Sequence, residues 1–236
     1  VLLYRAAAEQ GQAAGQYNLG VLYEKGEGVP KDAAEAVRLL RLAADQGLIE
    51  AQRRLGCLLL DGQKVPKDTR EGLRLLRLAA DQGDAMAQFN LGVACQTGAG
   101  MSKDDNEAVR WYRMAADQGQ PVAQFNLGTM YDNGEGVPKD AAEAVRLLRL
   151  AADQGLAQAQ YNLAVMYADG EGVQQDIDES ARWYRLAANQ GFAEAQKKVQ
   201  VIDEHLAKLH VAADEGDAEA QYCLAGAYAT GAGVAL

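Results

Sequence analysis

Residues 123–155 read AQFNLGTMYDNGEGVPKDAAEAVRLLRLAADQG and contain one complete copy of the pattern that decides the fold. The first helix carries an apolar face with a spacing of four, at Ala123, Leu127 and Tyr131. The segment GEGVP at 134–138 interrupts this helix, and Gly134 suits the left-handed position that ends many helices. A second amphipathic segment then runs to Gly155. The unit is therefore predicted to be an antiparallel pair of helices, called helix A and helix B. Gly128 lies inside helix A, where glycine costs about 1 kcal/mol, so a close contact with a neighbouring helix is expected there.

The same pattern returns through most of the chain. The glycine that ends helix B recurs every 36 residues, at Gly11, Gly47, Gly83, Gly119, Gly155 and Gly191. Gly216 follows after only 25 residues. Neither helix of a pair can bury its apolar face alone, so a strict period of this size indicates stacked units in a solenoid.

The period divides the 236 residues into one repeat array. The expected order is a partial helix B at 1–11, five repeats, a shortened repeat and a partial repeat, with bounds near 12–47, 48–83, 84–119, 120–155, 156–191, 192–216 and 217–236. The shortened repeat lacks about eleven residues, including the whole interhelix loop, and has no Gly or Pro from 193 to 210. One long helix and a sharp bend near 203–205 are both compatible with it.

The repeated motif resembles a known family. It reads Ala-Gln-Tyr/Phe-Asn-Leu-Gly-x-x-Tyr, then Gly-x-Gly-Val, then Glu-Ala-Val-Arg-Trp-Tyr-Arg-x-Ala-Ala-x-Gln-Gly, and it is clearest at 123–137 and 107–119. This motif is similar to the Sel1-like repeat, a relative of the tetratricopeptide repeat. The resemblance implies an all-α fold, a right-handed α/α solenoid of antiparallel helix pairs, and a role as a protein-interaction scaffold in bacteria.

Composition and charge exclude several classes of function. The net charge of −10 and the pI of about 4.7 argue against a nucleic-acid partner, since phosphate binding needs clustered Lys and Arg. No apolar run approaches the roughly 18 residues of a membrane span, so no membrane insertion is expected. Three distant cysteines and two histidines offer no metal-site spacing, and neither metal nor other cofactor is expected. We expect all three thiols to be buried or half-buried.

No residue is predicted to be catalytic. The Gly-rich loops lack the strand and the Lys-Ser/Thr of a phosphate-binding loop. One alternative is weak β-lactamase or penicillin-binding activity, as described for cysteine-rich Sel1-like relatives. This chain lacks both their two cysteines per repeat and a Ser-x-x-Lys motif. Another alternative is a purely structural spacer inside a larger regulator.

A column of polar side chains on the A helices, four asparagines and one arginine, is the candidate binding site: Asn18, Arg54, Asn90, Asn126 and Asn162. Its spacing to the following Tyr resembles that of the Asn that holds extended peptides in tetratricopeptide domains. An amide both donates and accepts, so a ladder of amides can pair with an extended backbone, and Arg54 can hold a carboxylate. The alternative is that the amides tie neighbouring helices together. The expected function is a non-enzymatic scaffold that binds a peptide or protein surface in a concave groove, in a bacterial signalling, assembly or host-interaction context.

Other columns favour packing roles. One glutamine recurs in every unit without variation, which favours an architectural role: Gln16, Gln52, Gln88, Gln124, Gln160, Gln196 and Gln221. Trp111 and Trp183 stand where other repeats have Leu, which favours packing over a ligand cage. Near the ends of the A helices the sequence varies from repeat to repeat, for example at Glu24 and Asp132. Such variation is expected if these positions determine binding specificity, and it is also expected if they are simply exposed to solvent.

The ends of the chain carry two further expectations. Val1-Leu2-Leu3 is apolar and provides no polar cap, so we expect the uncapped termini to allow end-to-end self-association. A cytoplasmic and a periplasmic or secreted location both stay open, because the compartment depends on a leader that this sequence does not contain.

Overall fold

A computed structural model describes residues 1–230, which form thirteen α-helices and no strand. In chain order, α1 to α13 span Leu2–Glu9, Ala13–Lys25, Ala33–Asp45, Ile49–Asp61, Thr69–Asp81, Ala85–Thr97, Asp105–Asp117, Pro121–Asn133, Ala141–Asp153, Ala157–Asp169, Ile177–Asn189, Ala193–Asp214 and Ala218–Thr230. The prediction of an all-α fold is confirmed. The loop predicted at 231–234 lies outside the described residues.

The helices form two compact units, Val1–Gln118 and the residues from Gly119 onward. In the first unit α1 packs on α2, and α2, α4 and α6 are helices A that pack on the helices B that follow them, α3, α5 and α7. In the second unit α8 pairs with α9, and α10 pairs with α11. Within each unit a helix B also contacts the next helix A, as α9 contacts α10. These two kinds of contact, within a pair and between pairs, build each stack.

Local chemistry defines where the helices of a regular repeat begin and end. Five helices B start after an Asp whose carboxylate accepts the backbone N–H three residues later at 2.9–3.0 Å: Asp32, Asp68, Asp104, Asp140 and Asp176. Helices A end at a glycine in the left-handed region, as predicted for Gly134, which has a φ of 71°. The repeated caps explain why the helices of regular repeats share one length of 13 residues.

The core of each stack consists of small and aliphatic residues. In the second unit Leu148 and Leu163 lie in one buried cluster together with several alanines. Gly128 permits close approach of helix B, because a Cβ there would lie 3.2 Å from Leu148 Cγ and 3.3 Å from the carbonyl oxygen of Ala144. The predicted close helix contact at this glycine is confirmed. The packing role of the tryptophans is also confirmed, since Trp111 is buried and Trp183 packs against two core clusters.

The shortened repeat is one long helix. α12 runs for 22 residues without interruption, so the alternative of a bend is wrong. One face of α12 packs against α11 and α13, and its apolar positions are Ala195, Val199, Ile202, Leu206, Leu209 and Ala213. Only Ala195 is fully buried, whereas the other five are half-buried. α12 is therefore covered much less completely than the helices of the regular repeats.

Candidate protein-interaction surface

The glutamine column is part of the architecture. Each of these buried side chains accepts a hydrogen bond from the glutamine that follows its own helix B, in the pairs Gln46–Gln16, Gln82–Gln52, Gln118–Gln88, Gln154–Gln124 and Gln190–Gln160, at 2.7–2.8 Å. Gln160 also donates to the carbonyl oxygen of Ala152 on the preceding helix B at 3.1 Å. Because both ends of the amide are bonded inside the stack, the predicted architectural role is confirmed.

The asparagine column divides into bonded and unbonded members. Asn18 Nδ2 donates to the carbonyl oxygen of Ala14 at 2.9 Å, and Asn90 Nδ2 lies 3.2 Å from Cys57 Sγ. Asn126 and Asn162 are half-buried, and their side-chain amides make no hydrogen bond to any residue within 1–230. These two therefore keep their donors and acceptors available at the surface of the second unit.

Arg54 already holds a carboxylate of its own chain. Its Nε donates to Glu24 Oε2 at 2.7 Å, and Lys64 Nζ donates to Glu24 Oε1 at 2.9 Å. Burial alone would raise the pKa of Glu24, but the hydrogen bonds from Lys64 and Arg54 outweigh it and hold this pKa below its ordinary value. The sequence pattern does not pair these three residues, although Arg54 and Lys64 each depart from the repeat and Glu24 occupies a variable position.

The neighbouring Arg53 is engaged as well. It stands where other repeats have Tyr or Phe, and its Nε lies 3.2 Å from Asp84 Oδ2, whose other oxygen caps α6. Between Arg53 and Arg54 on one side and Cys57 on the other lies a shallow cavity of about 280 Å³. Burial raises the pKa of the Cys57 thiol, which keeps it protonated and unsuited to nucleophilic attack.

The remaining two cysteines differ in their exposure to solvent. Cys95 is buried, but Cys223 is exposed, so the prediction that all three thiols are at least half-buried is wrong for Cys223. It follows Tyr222 on α13, a helix on which only Ala220 and Leu224 are buried among residues 218–226. Within residues 1–230 no group of three His, Cys, Asp or Glu side chains has the geometry to hold a metal ion.

The variable positions at the ends of the A helices also contribute to packing. Gln96 accepts a hydrogen bond from the buried Tyr112 hydroxyl at 2.9 Å. Asp132 has one carboxylate oxygen that is buried without a hydrogen bond, and burial together with the charge of Glu171 raises its pKa. The residue type at these positions is therefore determined by packing and charge inside the stack as well as by exposure to solvent.

Stacked helix pairs with an amide column along the A helices define a solenoid of the tetratricopeptide-like class. A model of the Sel1 repeat matches five successive segments, residues 13–48, 49–84, 85–120, 121–156 and 157–192. The chain belongs to the Sel1 repeat family. Proteins of this family are generally non-enzymatic protein-interaction scaffolds.

Solved structures agree with this assignment. The protective antigen c5321 of uropathogenic Escherichia coli is 37% identical, with a TM-score of 0.83 over 95% of this chain and 50% of that one. A Sel1 repeat protein from Oxalobacter formigenes is 37% identical, with a TM-score of 0.74 over 80% of this chain and 76% of that one. An immunity protein from Pseudomonas aeruginosa is 26% identical, with a TM-score of 0.50 over 78% and 67%.

The extent of these similarities is limited in two respects. This chain spans half the length of the Escherichia coli antigen. No curated protein matches the sequence. Among residues 1–230, none of the helices has the length and apolarity that a membrane crossing requires.

Proposed function

We propose that the chain is a non-enzymatic scaffold that binds an extended peptide segment along the surface of its A helices, with Asn126 and Asn162 as central contacts. The observation that carries this proposal is the contrast between two amide columns on the same helices. The glutamines have bonded donors and acceptors, whereas Asn126 and Asn162 have neither bonded within residues 1–230. An unbonded amide at a half-buried position can bind a peptide backbone efficiently, because no hydrogen bond inside the protein has to be broken when the peptide binds.

The members of the column in the first unit have a different role in this proposal. Asn18 and Asn90 must exchange a bond inside the protein for a bond to the ligand, which reduces their net contribution. Arg54 must release Glu24 to take a carboxylate from the ligand, and Glu24 also binds Lys64. Binding is therefore expected to be strongest along the second unit, where Asn126 and Asn162 have no bond to release.

The charge of the protein favours one kind of ligand. A net charge of −10 attracts basic segments and accelerates their association, an effect that salt weakens. The ligand class that fits best is a basic or neutral extended segment of another protein. A bacterial assembly or host-interaction setting is consistent with the antigen and the immunity protein among the relatives.

A selection from displayed random peptides of about a dozen residues tests the proposal, with the purified chain as bait. The selected peptides are then titrated against the double variant Asn126→Ala/Asn162→Ala. Loss of one well-formed hydrogen bond lowers binding affinity by about tenfold. We therefore expect the double variant to bind the selected peptides about tenfold or more weakly than the original chain does, while its melting temperature stays unchanged. The matched control is Gln158→Ala/Asn189→Ala, which removes two exposed amides outside the column.

Two outcomes contradict the proposal. A clear drop in melting temperature together with unchanged peptide affinity assigns the asparagines to helix–helix packing. Failure to select any peptide that binds the chain supports the structural spacer instead. The β-lactamase alternative is tested separately with the chromogenic substrate nitrocefin, and we expect no turnover, since the sequence contains no Ser-x-x-Lys motif.

A further inference from the structure

The outer face of α12 carries a regular seam of exposed residues. Their spacing alternates between four and three, which keeps them on one side of the helix: Lys197, Val201, Glu204, Lys208, Val211 and Glu215. All six are exposed, and Val201 and Val211 are 63% and 60% accessible despite being apolar. Glu215 ends the helix with helical dihedral angles, so it continues the same face. We call these six residues the α12 seam.

The α12 seam is uncovered because the repeat has lost its loop. Residues 193–205 align with helix A of the preceding repeat, and residues 202–214 align with its helix B, including the shared Ile-Asp-Glu at 202–204. In a regular repeat these two segments fold back and cover each other. In α12 they are collinear, so each segment lacks the partner that a regular repeat provides.

The charges of the α12 seam are available for a partner. Within residues 1–230 Lys197, Lys208 and Glu215 take part in no ion pair, and Glu204 accepts one hydrogen bond, from Gln200 Nε2 at 2.9 Å. Lys208 stands where regular repeats have a buried Leu or Trp, such as Leu147 or Trp111. A lysine at this position is incompatible with an apolar cover and favours a partner that offers carboxylates.

The α12 seam is complementary to itself when two copies run in opposite directions. In that arrangement Lys197 faces Glu215, Val201 faces Val211, and Glu204 faces Lys208, and the two-fold axis repeats each pair. The result is four ion pairs and two apolar pairs. A parallel arrangement in register would place every lysine against a lysine and every glutamate against a glutamate. Charge pairing of this kind sets helix orientation and partner choice.

We propose that a second copy of this chain docks on the α12 seam and forms an antiparallel, two-fold symmetric helix pair. Ala207 lies beside the centre of the α12 seam, where its small side chain allows the helices to approach. Only two of the six positions are apolar, so the interface is small and the association is weak and reversible. Because charged pairs dominate, salt weakens it.

Sedimentation equilibrium of the complete chain over a range of concentrations tests the proposal. We expect a reversible dimer whose dissociation constant rises with ionic strength. Glu204→Lys and Lys208→Glu each place like charges face to face, and each should weaken association by about tenfold or more. The matched control is Lys198→Glu, an exposed charge reversal on the same helix but outside the α12 seam.

Two restoring experiments make the test specific. The double variant Glu204→Lys/Lys208→Glu re-creates all four ion pairs with opposite polarity and should dimerise as the original chain does. Mixing the two single variants should give a heterodimer, although neither associates with itself. A chain that stays monomeric at millimolar concentration overturns the proposal. So does a dimer that the single charge reversals leave unchanged, which would place the contact elsewhere, for example at the exposed Leu2 and Leu3.

Discussion

The regular repeat formed by α10 and α11 and the long helix α12 are built from the same pattern but are covered very differently. In the regular repeat Ala164 and Tyr184 are buried at the contact between the two helices, and Leu163 is buried in the cluster that α10 shares with α9. In α12 the aligned positions hold Val199, Gln200 and Leu209, of which none is fully buried. The missing loop accounts for the difference, because helix A can cover helix B only where the chain turns back.

The glutamine column shows which contact survives the loss of the loop. Gln196 still donates to the carbonyl oxygen of Ala188 at 3.3 Å, and Gln221 donates to that of Ala213 at 3.0 Å, as Gln160 does in a regular repeat. The second bond, from the glutamine after helix B, has no counterpart, since Glu215 replaces that glutamine. Contact between successive pairs therefore continues through α12, while contact within the pair ends.

The largest expected effect compares two leucines at the same position of helix B. Leu148 is 2% accessible in a regular repeat, and Leu209 is half-buried in α12. We expect Leu148→Ala to lower the free energy of unfolding by about 2–5 kcal/mol, as for other core truncations, because it leaves a cavity. Leu209→Ala should cost clearly less, since solvent already reaches the site. Chemical denaturation at low protein concentration measures both, and equal losses would show that α12 is covered as well as α9.

A smaller effect is expected in the glutamine column. Gln160→Ala leaves the buried carbonyl of Ala152 and the side-chain amide of Gln190 without their partner, which costs about 1–3 kcal/mol. Gln196→Ala removes one bond at an exposed position, and surface changes usually stay within about 0.5 kcal/mol. Thermal unfolding of the two variants gives the comparison. If Gln196→Ala were as costly as Gln160→Ala, stacking would be as tight at α12 as in the regular array.

The glycine position inside helix A gives a third matched pair. An added Cβ at Gly92 would lie 2.6 Å from the ring of Tyr112, so Gly92→Ala forces the ring to move. Overpacking costs about 1–3 kcal/mol and the helix propensity of Ala returns about 1 kcal/mol, which leaves a net loss of about 1 kcal/mol. Gln200 holds the same position in α12 and is exposed, so Gln200→Ala should be neutral or slightly stabilising. A stabilising Gly92→Ala would contradict the close packing of α6 and α7.

The smallest effect is a difference in pH dependence between two acids at one repeat position, Glu24 and Asp132. The pKa of Glu24 lies below its ordinary value of 4.5, so this group stabilises the fold above that pH, and the contribution is lost as the pH falls through the lower value. The pKa of Asp132 lies above 3.8, so its contribution is present below that pH and is lost as the pH rises.

We therefore expect opposite signs at pH 7. Glu24→Gln should lower the free energy of unfolding and Asp132→Asn should raise it, each by about 1 kcal/mol or less, because the partners of the buried Glu24 and the carboxylate of Asp132 are partly exposed to solvent. Unfolding midpoints at pH 3.5 and pH 7 measure the difference. A stabilising Glu24→Gln at pH 7 would contradict the contacts of Glu24 with Arg54 and Lys64, and a destabilising Asp132→Asn would contradict the unfavourable burial of the Asp132 carboxylate.

The sequence predicted the regular repeats correctly because their signals are local and recur. The helix period, the break at Gly134, the close contact at Gly128 and the fixed role of the glutamines each follow from short-range pattern. The exposure of Cys223 was predicted wrongly, since burial of a thiol depends on the cover that its helix receives. The ion pairs of Glu24 were not predicted, because their partners lie 30 and 40 residues away.

The sequence by itself determined the family, the helix pairs and the positions of the two amide columns, because a period of 36 residues specifies which faces must be buried. Only the tertiary structure decided which amides are bonded, which carboxylate Arg54 holds, and that residues 193–214 form one uninterrupted helix. Such outcomes depend on distances between side chains far apart in the chain. A segment with good helix formers and no Gly or Pro bends or continues according to the cover that neighbouring helices provide, and that cover is a property of the folded stack.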